Sequence, residues 1–273
     1  YKDLVLRILV TNDDGIDSEG MHALARSARS LGHEVTIVAP NFDASGTGAS
    51  LGPLSRKEDI VYETHEIPDF DGDAYSINGP PALCVIVSHL EAFGPVPDLV
   101  LSGINPGLNT GRSTLHSGTV GAVLTAQNFG TKGVAVSLHS EDESLPWFWD
   151  AATEAAESCL RMMESAKPKT ALNVNVPALP ARSVKGLKWA RLAPFGSQRS
   201  ALTADGKGNL NFGLVDTEFE PDNETDLGLV LSGYTAITVL KGVSPGRPMD
   251  TEYGSDLPEG FSFADKPVEF LVK

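Results

Sequence analysis

The first forty residues alternate between strand and helix patterns, and this order limits the folds open to the chain. An apolar run rich in β-branched residues, Leu4–Val10, predicts the buried first strand of a parallel sheet. The pattern over Ser18–Leu31 predicts a helix with one apolar face, and Gly32 ends it. Glu34–Ala39 predicts a second strand. Strand, helix and strand in this order predict a right-handed βαβ unit.

The same alternation continues to about residue 176. Further buried strands are predicted at 97–104, 133–138 and 170–176, helices at 82–90, 117–129 and 147–164, and two short paired strands at 59–67 and 73–77. This order is typical of an α/β protein with a mostly parallel sheet flanked by helices.

The pattern changes after Pro180. Three segments predict an antiparallel ribbon with Asp205–Gly206 as a hairpin turn: Leu187–Ala193, Ser200–Thr203 and Leu210–Phe219. A short helix at 226–233 and a strand at 234–240 are predicted next. A projecting ribbon is a common route to dimerisation or segment exchange, and a loosely packed flap is the alternative.

The composition restricts the partners of the chain. The formal net charge is −15 over 273 residues, and no stretch is dense in Lys or Arg, which argues against a nucleic-acid polymer as a partner. No apolar run has the length of a membrane span, and the first residues lack a signal-peptide pattern. Cys84 and Cys159 have no metal-ligand spacing and are predicted to be buried thiols in a reducing compartment. We therefore expect a cytoplasmic protein with a small-molecule substrate and no membrane partner.

Two adjacent carboxylates, Asp13 and Asp14, follow the first predicted strand directly. They would repel each other and raise each other's pKa unless a cation or a proton lies between them. Ligands of open α/β sheets bind beyond the carboxyl ends of the strands, so the pair stands where a metal would be useful. The alternative is a solvated turn, for which Asp14 and Gly15 have suitable chemistry.

Two further polar loops follow other predicted strands. The loop 40–55 is rich in Gly and Ser, and the segment 105–111 leads to Ser117 at the start of a helix. Backbone amides in such loops and at a helix N-terminus bind anions, although a plain flexible loop is the alternative for 40–55. Oxygen donors that could meet at the ends of three strands are Asp13, Asp14, Ser45 and Asn105.

This donor set favours a hard divalent cation such as Mg²⁺ or Mn²⁺ over zinc, because no His or Cys cluster accompanies it. Such a cation can polarise a phosphoryl oxygen and lower the pKa of a bound water. Phosphate oxygens could then contact the amides of Gly46 and of the turn Ser117–Thr119. His116 is close enough in sequence to donate a proton to the leaving oxygen, or it is only a binding or bystander residue. No Walker loop is present, and the two carboxylates after the first strand are contiguous, whereas a phospho-aspartate phosphatase would have Asp-x-Asp there.

Four ordered blocks carry a resemblance to a known family. They are Val10–Gly15 with Gly20, Val38–Pro40 with Ser45, Gly46 and Ser50, Ser102–Asn105 with Gly107 and Asn109, and Ser117–Val120. Together they resemble the SurE family of stationary-phase survival proteins, over about the first 140 residues, with a fainter match at 233–238. The chain departs from the family pattern at Pro80, Leu83 and His116, which bears on substrate preference.

The resemblance implies a metal-dependent phosphatase, a hydrolase of nucleoside 5′-monophosphates that also acts on 3′-nucleotides and short polyphosphate. It implies a Rossmann-like α/β catalytic core, assigned here to 1–185, and a C-terminal ribbon, helix, strand and tail, 186–273, as an oligomerisation element. A homodimer or homotetramer would follow.

By position, the family's metal ligands fall on the four oxygen donors Asp13, Asp14, Ser45 and Asn105, for one Mg²⁺ or Mn²⁺ per subunit. Asp13 and Asp14 are the predicted catalytic residues. The predicted substrate and phosphate contacts are Asn12, Gly46, Asn109, His116, Ser117, Gly118 and Thr119. The rival hypothesis is a non-catalytic module that binds a nucleotide or nucleotide sugar on the same scaffold. Release of phosphate would separate the two.

Overall fold

A computed structural model describes residues 4–52, 59–140, 147–196, 198–204, 208–216 and 220–243. The described strands are β1 (Arg7–Thr11), β2 (Glu34–Pro40), β3 (Tyr62–His65), β4 (Ala74–Ile77), β5 (Leu99–Pro106), β6 (Lys132–Leu138), β7 (Ala171–Val176), β8 (Leu187–Trp189), β9 (Gln198–Ala204), β10 (Leu210–Asp216) and β11 (Thr235–Leu240). The described helices are α1 (Glu19–Ser30), α2 (Pro81–His89), α3 (Gly118–Asn128), α4 (Trp149–Ser165) and α5 (Asp226–Leu231), with short 3₁₀ helices at Gly111–His116 and Ala181–Ser183. The chain divides into a compact unit, residues 1–242, and a second unit, residues 243–273.

Nine strands form one sheet in the order β3-β4-β2-β1-β5-β6-β7-β11-β8. Six neighbouring pairs are parallel, and β3 and β11 run antiparallel to β4 and β7. The chain leaves β1 toward β2 on one side and later continues through β5 on the other, so the order reverses between β1 and β5. The predicted Rossmann-like α/β class is confirmed, and the reversal marks where such sheets bind ligands.

Helices cover both faces of the sheet, which is why its central strands are apolar on both sides. On β1, Ile8 and Val10 face a core that includes Met21 of α1 and Met163 of α4. Leu9 faces the opposite core, built with α2 and α3. Cys84 lies in this second core, and both it and Cys159 are free and buried, as predicted. None of the helices among the described residues is long and apolar enough to cross a membrane.

The prediction of a three-segment ribbon is wrong for its first segment. β8 joins the large sheet beside β11, to which it is parallel, and the amide of Ala190 donates to the carbonyl of Ile237 at 2.8 Å. The reason is that a short strand pattern does not say whether its partner is local or distant. β9 and β10 do pair antiparallel as predicted. The predicted turn at Asp205–Gly206 lies outside the described residues, and the division at residue 185 stays a prediction.

Candidate active site

Three loops meet at the carboxyl ends of neighbouring strands in the sheet. The first loop follows β1, the second follows β2 and the third follows β5. The amide of Ala44 donates to the carbonyl of Asp13 at 2.7 Å, which fastens the loop after β2 to the loop after β1. The amide of Gly48 donates to the carbonyl of His116 at 3.0 Å, which fastens the same loop to the segment after β5. The convergence of polar loops at this edge is therefore a property of the fold.

Asn12 holds the shape of the first loop. Its Nδ2 donates to the carbonyl of Gly15 at 3.0 Å, and its Oδ1 accepts from the amide of Gly15 at 3.2 Å. The side chain is fully buried, and Gly15 takes a positive φ of 100° that favours glycine. In this structure Asn12 supports the loop that carries the two carboxylates, and its predicted contact with substrate stays a prediction.

The carboxylate of Asp13 is buried against the N-terminus of α3. Oδ2 accepts from the amide of Gly118 at 3.0 Å, and Oδ1 accepts from Oγ1 of Thr119 at 2.5 Å. Burial nevertheless raises the pKa of Asp13 above its usual range. A Cβ on Gly118 would lie 2.7 Å from the Cβ of Asp13, so only glycine allows this close approach. The donors predicted to bind phosphate at Gly118 and Thr119 thus already bind Asp13 here, and a phosphate role for them stays a prediction.

Asp14 is the least satisfied acid of the site. Its Oδ2 is buried and has no hydrogen-bond partner among the described residues. Burial, followed by the charges of Asp13 and Asp43, raises the pKa of Asp14 to about 7. Asp43, which the sequence reasoning did not include, accepts from the amide of Ser45 at 2.9 Å and from its Oγ at 2.6 Å. An Asp two residues before a candidate ligand, in a loop rich in Gly and Ser, is the signal that could have identified it.

Ser45 and Gly46 lie in the exposed part of the second loop. Gly46 has a φ of +80°, and a Cβ there would meet nothing within 4 Å, so its backbone borders open space. No acceptor for the amide of Gly46 occurs among the described residues, so this amide is available to an anion. The structure thus brings the loop of Ser45 and Gly46 to the acidic pair, as the sequence predicts.

Asn105 lies near the end of β5, the strand beside β1. Its Nδ2 donates to the carbonyl of Gly107 at 2.7 Å, which fixes the amide and leaves its oxygen as the donor atom for a ligand. Asn109, four residues on, is held by Ser137, Asn173 and Asn175, all fully buried. Sequence reasoning missed these three. Two Asn residues at alternate positions of an otherwise apolar strand were the available signal.

Ser117 begins α3, since its Oγ accepts from the amide of Val120 at 3.1 Å. This confirms the predicted helix start. His116 is exposed, and no hydrogen bond of its side chain is found in the described parts of the chain. Its role as proton donor, binding residue or bystander stays a prediction.

Another buried acid, Asp226, anchors the segment after β5. Its carboxylate accepts from the amides of Gly111, Ala193 and Leu227 at 2.8, 2.8 and 2.9 Å. Burial raises the pKa of Asp226 in spite of these bonds. The sequence marks Asp226 only as a helix start. No local pattern shows that its carboxylate accepts a hydrogen bond from the amide of Gly111, which is distant in the chain.

The residues at this edge fit a divalent cation. A buried carboxylate oxygen without a partner, beside a second buried carboxylate, is the environment that a doubly charged ion stabilises. No group of three or more His, Cys, Asp or Glu side chains within the described ranges could hold a metal. A cation here would therefore depend on two carboxylates together with hydroxyl and amide oxygens, which are ligands for Mg²⁺ or Mn²⁺ rather than zinc.

Fold and site together define a Rossmann-like α/β protein with an acidic, oxygen-lined centre at its topological switch point. The model of the family described as survival protein SurE matches residues 8–198. The chain belongs to the SurE family.

Relatives and a solved structure agree with this assignment. The chain is 37% identical over 243 residues to the 5′-nucleotidase SurE of Stenotrophomonas maltophilia (strain R551-3), covering 86% of this chain and 90% of that protein. It is 33% identical over 247 residues to the 5′/3′-nucleotidase SurE of Edwardsiella ictaluri (strain 93-146), with the same coverage of 86% and 90%. The crystal structure of the SurE protein from Aquifex aeolicus superposes with a TM-score of 0.70 at 31% identity, over 86% of this chain and 92% of that chain.

Proposed function

We propose that this protein is a phosphatase that depends on a divalent metal and hydrolyses nucleoside 5′-monophosphates, with 3′-nucleotides and short polyphosphate as further substrates. Its relatives are named 5′-nucleotidase and 5′/3′-nucleotidase, and their similarity extends over most of the chain. The observation that carries the metal dependence is the buried Oδ2 of Asp14, which has no partner among the described residues.

Asp13, Asp14, Ser45 and Asn105 would hold one Mg²⁺ or Mn²⁺. When bound, such a cation polarises a phosphoryl oxygen and lowers the pKa of a coordinated water. Thr119 and Gly118 fix the carboxylate of Asp13 for this task by donating to both of its oxygens. The hydrogen bond from Asn105 to Gly107 orients the Asn105 amide in the same way.

The chain also offers groups for the phosphate. The amide of Gly46 has no acceptor in the part of the chain that the structure describes, and a Cβ on Gly46 would face open space, so this amide can donate to a phosphate oxygen. Asn109 presents a fixed side chain from the third loop. His116 lies exposed at the end of the same segment, within the stretch that would face a leaving nucleoside.

The test is phosphate release from AMP by the purified full chain. We expect activity with Mn²⁺ or Mg²⁺, loss of activity with a chelator, and recovery when the cation is restored. Asp13→Asn should lower the rate by about 10²-fold or more while the protein stays folded. Asp17→Asn, an exposed acid on the same loop, is the matched control and should retain the wild-type rate.

Activity that ignores the chelator would contradict the metal dependence. Binding of AMP without phosphate release would contradict hydrolysis and favour a non-catalytic nucleotide-binding module. A folded Asp13→Asn protein with the wild-type rate would remove Asp13 from the proposed ligands.

We further propose a homodimer or homotetramer assembled through the ribbon of β9 and β10, in the cytoplasm. Leu202 and Leu210 are 60% and 66% exposed. They lie on the same face of the ribbon, because Phe212 pairs with Leu202 and stands two residues from Leu210. Exposed apolar side chains grouped on one face support a protein contact there. The buried free thiols of Cys84 and Cys159 support a reducing compartment.

A further inference from the structure

A cluster of polar side chains lies buried below the third loop of the site. It consists of Ser137 on β6 and Asn173 and Asn175 on β7, each with no exposed surface. The alternate β7 side chains Leu172, Val174 and Val176 lie in one apolar core, and Ala171 lies in another. Buried amides are costly unless they are hydrogen-bonded, so the partners of this cluster indicate what it does.

All the hydrogen bonds of this cluster to the third loop end on one residue, Asn109. The amide of Asn109 donates to Oδ1 of Asn175 at 2.9 Å, and its carbonyl accepts from Nδ2 of Asn175 at 3.0 Å and of Asn173 at 2.8 Å. Its side-chain Nδ2 donates to Oγ of Ser137 at 2.9 Å. The backbone and the side chain of Asn109 are therefore both fixed.

The two asparagines contribute differently. Asn175 pairs with the N–H and the C=O of Asn109, whereas Asn173 repeats only the bond to the C=O. Oδ1 of Asn173 has no hydrogen-bond partner among the described residues. Loss of Asn175 would leave the backbone N–H of Asn109 unpaired, whereas loss of Asn173 would leave both the backbone N–H and the backbone C=O of Asn109 with a partner.

The cluster is also in register with the metal-ligand strand. Ser137 pairs across the sheet with Asn105 on one side and with Asn175 on the other. One N–H of the Asn109 side-chain amide goes to Ser137. Its second N–H and its oxygen have no partner among the described residues and can bind a ligand at the strand ends. The three strands thus present Asn105 and Asn109 in one fixed relation.

We propose that Asn175, with Ser137, is a positioning residue that fixes the side chain of Asn109 against the phosphate of the substrate. This rests on the proposed function and on the predicted contact between Asn109 and substrate. Asn175 does not touch the substrate. It acts through Asn109, because a small shift of the loop would move the Asn109 side chain away from the phosphate.

The first experiment compares Asn175→Ala with Asn173→Ala, two equal truncations on the same face of one buried strand. We expect Asn175→Ala to lower kcat/KM for AMP by about 10²-fold, because a misplacement of about 1 Å has that effect on a positioned group. Asn173→Ala should lower it less than about threefold, since Asn175 still pairs with the Asn109 carbonyl. Equal losses in the two variants would overturn the proposal.

The second experiment is a double-mutant cycle with Asn109→Ala. If Asn175 acts through the Asn109 side chain, Asn175→Ala will change kcat/KM less than about threefold in the Asn109→Ala background. If Asn175 had only a structural role, the two substitutions would lower kcat/KM by independent factors that multiply in the double variant. That result would overturn the proposal. The same cycle with Ser137→Ala removes the bond to the Asn109 side chain and changes the packing less. It tests the proposal if Asn175→Ala does not fold.

A third measurement separates positioning from damage to the metal site. The Mn²⁺ affinity of Asn175→Ala, measured by electron paramagnetic resonance, should stay within about threefold of wild type, because Asn105 keeps its own bond to Gly107. A large loss of Mn²⁺ affinity would overturn the proposal. Wild-type protein that releases no phosphate would instead show that the proposed function fails.

Discussion

Neutralising Asp14 should stabilise the metal-free protein while it removes the metal site. Oδ2 of Asp14 is buried and has no partner among the residues that the structure describes, and the pKa of Asp14 is raised from 3.8 to about 7. Each pH unit corresponds to about 1.4 kcal/mol, so at pH 8 the ionised side chain costs the folded state about 4 kcal/mol. In Asp14→Asn the buried amide still costs about 1–3 kcal/mol, and the net gain is about 1–3 kcal/mol.

The sign of the pH dependence follows from the direction of the pKa shift. Between pH 4 and pH 7 the unfolded chain releases the Asp14 proton and the folded protein retains it. The folded state then binds more protons, so the stability of the wild type falls as the pH rises through this window. The advantage of Asp14→Asn should therefore be full above pH 7 and should be lost toward pH 4, where only the cost of the buried amide remains.

Thermal unfolding of chelator-treated protein measures this gain. At this size about 1 kcal/mol shifts Tm by about 2–4 °C, so Asp14→Asn should unfold about 2–12 °C above wild type at pH 8. Added Mn²⁺ should reverse the order, because ligand binding stabilises only a protein with an intact site. The exposed neighbour gives the control, Asp17→Asn, which should match wild type in both conditions.

A metal-free Asp14→Asn protein that is no more stable than wild type at pH 8 would refute the claim that the ionised Asp14 carboxylate destabilises the folded state. An equal Tm difference at pH 4 and pH 8 would refute the electrostatic cause. Equal stabilisation of both proteins by Mn²⁺ would refute Asp14 as a ligand.

Two further predictions concern the close contact at α3 and the ribbon. Gly118→Ala should weaken Mn²⁺ binding by about tenfold or more with little change in circular dichroism, because its Cβ would lie 2.8 Å from Oδ2 of Asp13. Gly213→Ala is the control, because its Cβ would meet nothing within 4 Å. Equal Mn²⁺ affinity in the two variants would contradict a close contact between residue 118 and Asp13. A double change, Leu202→Glu with Leu210→Glu, should lower the mass measured by light scattering to that of a smaller assembly. An unchanged mass would exclude this ribbon face as an interface.

Most of the described secondary structure up to residue 176 follows from local signals. Apolar runs such as the one ending at Val10, together with terminators such as Gly32, mark strands and helices without knowledge of the fold. The place of the site follows as well, because the loops after β1, β2 and β5 lie at adjacent strand ends. This is why Asp13, Asp14 and the loop of Ser45 meet as the sequence predicts.

What the sequence does not show are the hydrogen bonds between distant residues. Gly118 donates to Asp13 across 105 positions, and Gly111 donates to Asp226 across 115. Asn109 and Asn175 are 66 positions apart. No local pattern encodes such pairs. For the same reason the sequence places β8 in the ribbon, whereas β8 pairs with β11.

The central claim is that a divalent cation binds between the carboxylates at the end of β1. Anomalous diffraction from crystals grown with Mn²⁺ tests it most directly. We expect one peak per subunit at about 2.0–2.3 Å from Oδ2 of Asp14, with oxygens of Asp13, Ser45 and Asn105 among its ligands. A well-ordered site with no peak at this position, or a peak held by other residues, would contradict it.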